Sequence, residues 1–244
     1  MAERLHVVLA RAGIASRREA EKLIREGRVK VNDKVVRRLG TQVVCGQDAI
    51  RVDNRPVRGS EPKVTIVLNK PKRVLTTSSD PRGRPTTAGL VKKIKTRLFA
   101  VGRLDYHTEG LLILTNDGEL AHQLQHPRYG ISKTYRTKVK GLPPHEALAR
   151  LRSGIVLDGR RTAPARVRIT GTTGTNTWLE ITIREGRNRQ VRRMCAVVAH
   201  PVMKLKRIRY GPIRLGNLEP GSYRTLTARE MEDLRKCMNE GTLG

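Results

Sequence analysis

The sequence predicts an α+β protein in two parts: a small module of helices and a hairpin, then a larger domain with a mixed, mostly antiparallel central sheet flanked by helices. Three observations carry this prediction. Apolar runs of strand length alternate with segments of helical spacing, as Leu111 to Leu114 does with the Leu120 and Leu124 that follow. Gly154 to Thr182 alternates apolar and polar residues in short pieces, the pattern of antiparallel strands. A polar stretch containing Pro and Gly, Asn54 to Pro62, interrupts the chain and places a boundary near residue 60, giving domains at 1–60 and 61–244.

The elements of the first part follow in order. Leu5, Val8, Leu9 and Ala12 recur at helical spacing, and Gly13 ends that helix. Ser16 stands three residues before Glu19, a capping box that opens a second helix with Ala20, Leu23 and Ile24 inward and Gly27 at its close. Arg17, Arg18, Lys22 and Arg25 lie on its other faces. Val29 and Val31 alternate with Arg28 and Lys30, and Asn32-Asp33 turns the chain into Val35-Val36, a hairpin.

In the second part, Val64 to Leu68 is rich in β-formers and runs into Asn69-Lys70-Pro71, after which a short helix is expected from Leu90 to Ile94. Leu111 to Leu114 is too short for a helix and reads as a buried strand, with Gly110 marking its start and Asn116-Asp117-Gly118 its end. Asn116 or Asp117 can cap the next helix, which Pro127 stops. Ahead of this strand, on a glycine-flanked connection, sits the carboxylate of Asp105 with Arg103 close by. Catalytic groups are often carried on such loops.

Beyond it, Lys133, Tyr135, Thr137 and Val139 share one face of a strand, and His145 to Leu151 reads as a helix. Thr172 to Thr177 reads as a hairpin tip. A strand from Leu179 ends at Gly186, where a helix begins among arginines; from Arg184 to Arg214 there are ten Lys and Arg against one Glu. So much like charge disfavours folding unless anions lie opposite. From Ala228 a last helix turns Met231, Leu234 and Met238 inward.

Composition narrows the partners. The 244 residues carry 50 Lys and Arg against 22 Asp and Glu, a formal charge of +28. A chain this positive calls for a polyanion, and nucleic acid is the first candidate. No segment has the strong apolar face of a membrane-surface helix, and no apolar run approaches ~18 residues. Met1 to His6 holds no signal-peptide core, and Cys45, Cys195 and Cys237 form no ligand or redox pair, so a reducing cytoplasm is expected. The scattered histidines have no ligand spacing. Neither a metal nor a cofactor is expected.

Several motifs carry a resemblance. Gly102-Arg103-Leu104-Asp105, with Thr108, Gly110, Leu111 and Leu112 following, resembles the active-site motif of pseudouridine synthases that act on ribosomal RNA. Lys70-Pro71 resembles that family's first motif, although Arg73 stands where glycine is usual; arginine tolerates a left-handed backbone poorly, so a different turn is expected. Asp80 to Thr86 matches a family loop, and Lys133-Thr134-Tyr135 its tyrosine strand. Gly186-Arg187-Asn188-Arg189-Gln190-Val191-Arg192 is the most specific match. Arg207 to Ile213 and Leu218 to Gly221 match its closing segment. Arg4 to Asn32 is similar to the alpha-L RNA-binding domain known from ribosomal small-subunit protein four.

The resemblance implies isomerisation of a uridine to pseudouridine in ribosomal RNA, most closely the large-subunit branch. Asp105 would be the nucleophile, Tyr135 the active-site tyrosine, and Arg192 the cation paired with Asp105. Val191 would pack near the target base, with Arg103, Arg187 and Arg189 contacting substrate. Arg17, Arg18, Lys22, Arg28 and Lys30 would contact RNA through the first domain. The expected partner is ribosomal RNA or a ribosome assembly intermediate, the enzyme a monomer. Two other readings stand beside this one: a non-catalytic ribosomal-RNA binder or assembly factor, and the small-subunit branch of the same family. The joint presence of Asp105, Tyr135 and Arg192 favours catalysis.

Overall fold

The computed structural model describes residues 2–57, 59 and 61–240. It divides into two compact units, one running to residue 64 and including 94–97 and 116–118, the other holding the remainder.

The first unit contains β1 (Ala2–Arg4), α1 (Leu5–Arg11), α2 (Arg17–Arg25), β2 (Val29–Val31), β3 (Lys34–Val36), β4 (Gln42–Val44), β5 (Ile50–Val52) and β6 (Arg55–Pro56). The Ser16 side chain accepts from the Glu19 N–H, as the capping box requires. Leu5, Leu9, Ala20 and Ile24 face a core shared with Val29 and Val43. Asn32 and Asp33 take φ of 49° and 62°, the positive values of a tight hairpin turn, and join β2 to β3 in a sheet ordered β3-β2-β5-β6. Strand β1, which pairs with β4, lies just ahead of the first helix and leaves no period in the sequence.

The second unit contains β7 (Thr65–Lys70), α3 (Thr87–Leu90), β8 (Phe99–Ala100), β9 (Glu109–Thr115), α4 (Gly118–Gln125), β10 (Lys133–Lys140), α5 (His145–Ser153), β11 (Val156–Leu157), β12 (Arg160–Arg161), β13 (Arg166–Thr173), β14 (Asn176–Ile183), α6 (Gln190–Val197), β15 (Val202–Tyr210), β16 (Ile213–Arg214), β17 (Tyr223–Thr225) and α7 (Ala228–Glu240). Its main sheet runs β13-β14-β10-β15-β9-β7-β17, and every neighbouring pair is antiparallel except β15 with β9. Leu111 to Leu114 are sealed, as a continuous apolar strand demands. Each such side chain contributes about 1.5–3 kcal/mol relative to exposure. Leu111 and Ile113 pack on Leu120 and Leu124 of α4 and on Leu234 and Met238 of α7.

Some boundaries differ from expectation. The helix expected from Leu90 to Ile94 is instead α3, because the Thr86 hydroxyl accepts from the Gly89 N–H and fixes an earlier start. It stops where Val91, at φ −111°, leaves the helix and becomes buried. Gly110 lies inside β9 rather than ahead of it. A Cβ there would come within 2.2 Å of the Arg207 carbonyl oxygen, so glycine lets β15 approach. The turn after Lys70-Pro71 keeps the left-handed residue that glycine would supply: Arg73 takes φ 60° and accepts the strain. Arg184, Arg187 and Arg189 lie in the loop before α6 rather than within it.

Candidate active site

Asp105 sits on the loop between β8 and β9, and that loop is tied by three residues from two other parts of the chain. The Arg73 N–H donates to the Tyr106 carbonyl at 2.7 Å. The Thr76 hydroxyl donates to the Leu104 carbonyl at 2.8 Å and accepts from its N–H at 3.3 Å. From the far end of the sequence, Nη2 of Arg192 donates to the His107 carbonyl at 3.1 Å and to Thr108 Oγ1 at 3.4 Å. A turn closed by the Thr108 N–H on the Asp105 carbonyl at 3.0 Å fixes the direction of the carboxylate's own backbone. The bond from Arg73 also explains its left-handed backbone, which costs roughly 1–2 kcal/mol for a residue with a Cβ.

Beneath this loop, Lys70 ends β7 fully buried, and its ammonium donates to the carbonyls of Pro71 and Val74 at 2.9 and 2.8 Å. Burial pushes its pKa down to about 8, while the charges of Asp105 and Glu109 oppose the shift. Lys70 therefore closes the Lys-Pro turn and places a cation near the candidate nucleophile.

Asp105 opens onto a cleft of about 390 Å³, within the ~300–1,000 Å³ usual for ligand sites. Tyr135, Val191, Arg103, Arg187 and Arg189 line the same cleft. Of these, Arg187 also braces the structure: it donates to the carbonyls of Arg160 and Arg161 and to Glu185. Arg103 and Arg189 are exposed. Arg192 is not among the residues that line the cleft. The direct pairing with Asp105 that the resemblance implies is not formed; the guanidinium holds the Asp105 loop instead, close enough to feel the carboxylate's charge. Burial and the neighbouring Arg189 lower the Arg192 pKa, and Asp105 opposes them.

Sequence reasoning assigned no role to two further cations on the cleft wall. Lys133 projects from β10 beside Tyr135, without a hydrogen-bond or ion-pair partner among the described residues; burial, then the charge of Arg207, pushes its pKa down to about 8 against the pull of Glu185. Arg207 is buried on β15, its Nε donating to the Leu111 carbonyl at 2.7 Å, while its Nη2 has no partner among the described residues. The Tyr210 ring lies 5.1 Å from the Arg207 guanidinium, and its hydroxyl donates to the Leu124 carbonyl. The signal for Lys133 was its position two residues before Tyr135, on the same strand face. Arg207 was legible only as part of the closing-segment match, and the parallel pairing of β15 with β9 is what brings it to the cleft.

Among the first unit's candidates, Arg17, Arg18 and Lys22 are exposed on α2. Arg28 is held by Asp53 through two bonds of 2.8 and 2.6 Å, and Lys30 donates to Asn54. Among the described residues no group of three His, Cys, Asp or Glu side chains is placed to hold a metal, and no helix is long and apolar enough to cross a membrane.

A carboxylate in an arginine-lined cleft of a mostly antiparallel sheet, preceded by a small basic helix-and-hairpin unit, defines an RNA-modifying enzyme. The chain belongs to the RNA pseudouridylate synthase family: residues 64–197 match that family's profile, and residues 3–50 match the S4 domain. It is 47% identical over 241 residues, 98% of both chains, to a Bacillus subtilis protein named ribosomal large subunit pseudouridine synthase B. It is 48% identical over 239 residues, 98% of this chain and 96% of the other, to an uncharacterized RNA pseudouridine synthase of Aquifex aeolicus. A solved structure described as a pseudouridylate synthase superposes with a TM-score of 0.66 at 31% identity, covering 95% of this chain and 99% of its own.

Proposed function

We propose that this chain converts a uridine of large-subunit ribosomal RNA to pseudouridine, with Asp105 as the covalent nucleophile. The observation that carries the proposal is the single cleft shared by Asp105, Tyr135 and Val191, with Arg192 bonded to the loop that presents Asp105. The large-subunit target is supported by the names of relatives from Bacillus subtilis, Pseudomonas aeruginosa and Yersinia pestis. On this reading residues 1–60 position the RNA and residues 61–244 carry out the reaction. The enzyme acts in the cytoplasm as a monomer, on ribosomal RNA or an assembly intermediate.

The reaction needs no redox step. An Asp105 oxygen bonds to ribose C1′ as the C1′–N1 bond breaks, and the electron pair leaves with the uracil. The base turns, its C5 attacks C1′, and the carboxylate is displaced. The C5 proton then goes to a base, the role this reading gives to Tyr135, and N1 gains a proton. Lys133 and Arg207 on the cleft wall offset the negative charge that the departing uracil carries. Flipping the target base from its stack costs a few kcal/mol, and phosphate contacts with Arg103 and Arg189 offset it.

Asp105→Asn tests the assignment. Pseudouridine formation in ribosomal RNA should fall to background while RNA affinity stays within about twofold, because the swap removes a nucleophile rather than a phosphate contact. An Asn variant that still makes pseudouridine would falsify the nucleophile. Mapping pseudouridine in both ribosomal RNAs from cells with and without the gene tests the target; a site lost from the small-subunit RNA alone overturns the large-subunit assignment.

A further inference from the structure

The sheet that carries Tyr135 into the cleft has a second face, and its chemistry is different. Along β10, Tyr135, Thr137 and Val139 are buried, while Arg136 and Lys140 are exposed and Lys138 is half-buried. On β14, Leu179 and Ile181 face inward and Trp178 and Glu180 face out. The register sets Lys138 opposite Trp178 and Arg136 opposite Glu180. On the other side of β10, Arg136 stands opposite Lys206 and Lys138 opposite Lys204.

Like charges directly across an antiparallel pair destabilise it, and here two cation pairs face each other side by side. Arg136, Lys138, Lys204 and Lys206 make no ion pair with any described residue. The carboxylates beside them are already engaged, Glu180 with Arg168 at 2.9 Å and Glu109, next to Lys206 on β9, with Lys72 at 3.8 Å. The Arg136 guanidinium lies 4.6 Å from the Trp178 ring centroid, forming a flat cationic and aromatic patch in the middle of this field. Cations that track a backbone around a stacking platform are the recurring construction of surfaces that bind single-stranded nucleic acid.

We propose that this outer face of β14, β10 and β15 is a second RNA-docking surface, separate from the cleft. A single-stranded segment flanking the modified uridine would set one base on the Arg136–Trp178 platform, and its phosphates on Lys138, Lys204 and Lys206. RNA is favoured over an acidic protein because the platform offers a base-sized stacking surface, not only charge. The surface goes beyond the catalytic reading, and it holds whether or not Asp105 is the nucleophile.

Trp178 is the only tryptophan of the chain, so its fluorescence reports on this face alone. The intact protein is titrated with a single-stranded oligonucleotide of A and C, which contains no uridine to enter the cleft. Saturable quenching of Trp178 that weakens with salt is expected. Lys204→Glu combined with Lys206→Glu should weaken binding several-fold and reduce the slope of log K against log salt by about 1.4, two phosphates at ~0.7 each. In the same double variant, pseudouridine formation on saturating ribosomal RNA should stay within twofold. Thermal stability no lower than the parent's, as expected when two like-charge pairs become opposite-charge pairs, and unchanged unliganded Trp178 emission establish that the variant is folded. A milder pair, Lys204→Gln with Lys206→Gln, should give the same loss in smaller measure. Unquenched fluorescence, a wild-type salt slope in the folded variants, or equal quenching by polyglutamate or anionic vesicles overturns the proposal.

Discussion

Arg73 shows what one residue's backbone can conceal. The sequence places a bulky cation where a left-handed residue is wanted, and steric reasoning points to a different turn. The structure keeps the turn at φ 60° because the Arg73 N–H is bonded to the Tyr106 carbonyl and Lys70 closes the other side. Arg73→Gly should therefore be neutral to slightly stabilising in a urea titration. It removes roughly 1–2 kcal/mol of left-handed strain and costs about 0.4–1 kcal/mol in unfolded-chain entropy. A loss of more than about 1 kcal/mol would show that the Arg73 side chain carries contacts of its own. The Lys133 side chain is a second residue-scale case, since its place on the strand was legible but its environment was not. In the folded chain its pKa falls to about 8 against an ordinary 10.5, so between these values the unfolded state holds more protons. The stability cost of Lys133 is thus greatest below pH 8 and shrinks as pH rises toward 10.5. Lys133→Met should gain stability at pH 7 and lose that gain by pH 10.5 in paired denaturant titrations. A gain that does not vary with pH would mean that the ammonium is not desolvated.

At the scale of elements, strands and helices with a clean period were legible: α1, α2, β9, β10 and α7 all follow their apolar spacing. The pieces that escaped are those fixed by distant partners. Strand β1 exists because β4 is there to pair with it, and α3 starts where Thr86 caps it. The Asp105 loop belongs with them. Its motif was readable at once, but its rigidity comes from Thr76, Arg73 and Arg192, none of them its neighbours in sequence. Thr76→Val tests the loop as an element. Both bonds to Leu104 are lost, which costs about 1–3 kcal/mol of stability where the partner is left unpaired. Because the loop sets the aim of the carboxylate, kcat should fall at least about tenfold while RNA affinity is retained. Thr76→Ser, which keeps the hydroxyl, should recover most of the rate. A Val variant with wild-type kcat would show that Arg73 and Arg192 hold the loop unaided.

For the whole molecule the governing quantity is the charge of +28, which announced a polyanionic partner before any motif was considered. Charge in a sequence does not say which cations are free to meet that partner. Arg28 was grouped with Arg17, Arg18 and Lys22 as a candidate RNA contact, yet the structure locks it to Asp53 through two short bonds and sets Lys22 3.7 Å from Glu26, while Arg17 and Arg18 stand exposed on α2 with no carboxylate partner among the described residues. The two kinds of cation should separate in the salt dependence of RNA binding. Reversing Arg17 and Arg18 together to Glu should lower the slope of log K against log salt by roughly 1.4–1.8, two phosphates at 0.7–0.9 each. Arg28→Ala should leave the slope unchanged, since no counterion is released where a carboxylate already neutralises the guanidinium. Pseudouridine formation at saturating RNA should survive both changes, because neither touches the cleft. A slope that falls by about one unit for Arg28→Ala would mean that RNA displaces Asp53, and that the ion pair is a latch opened by the substrate.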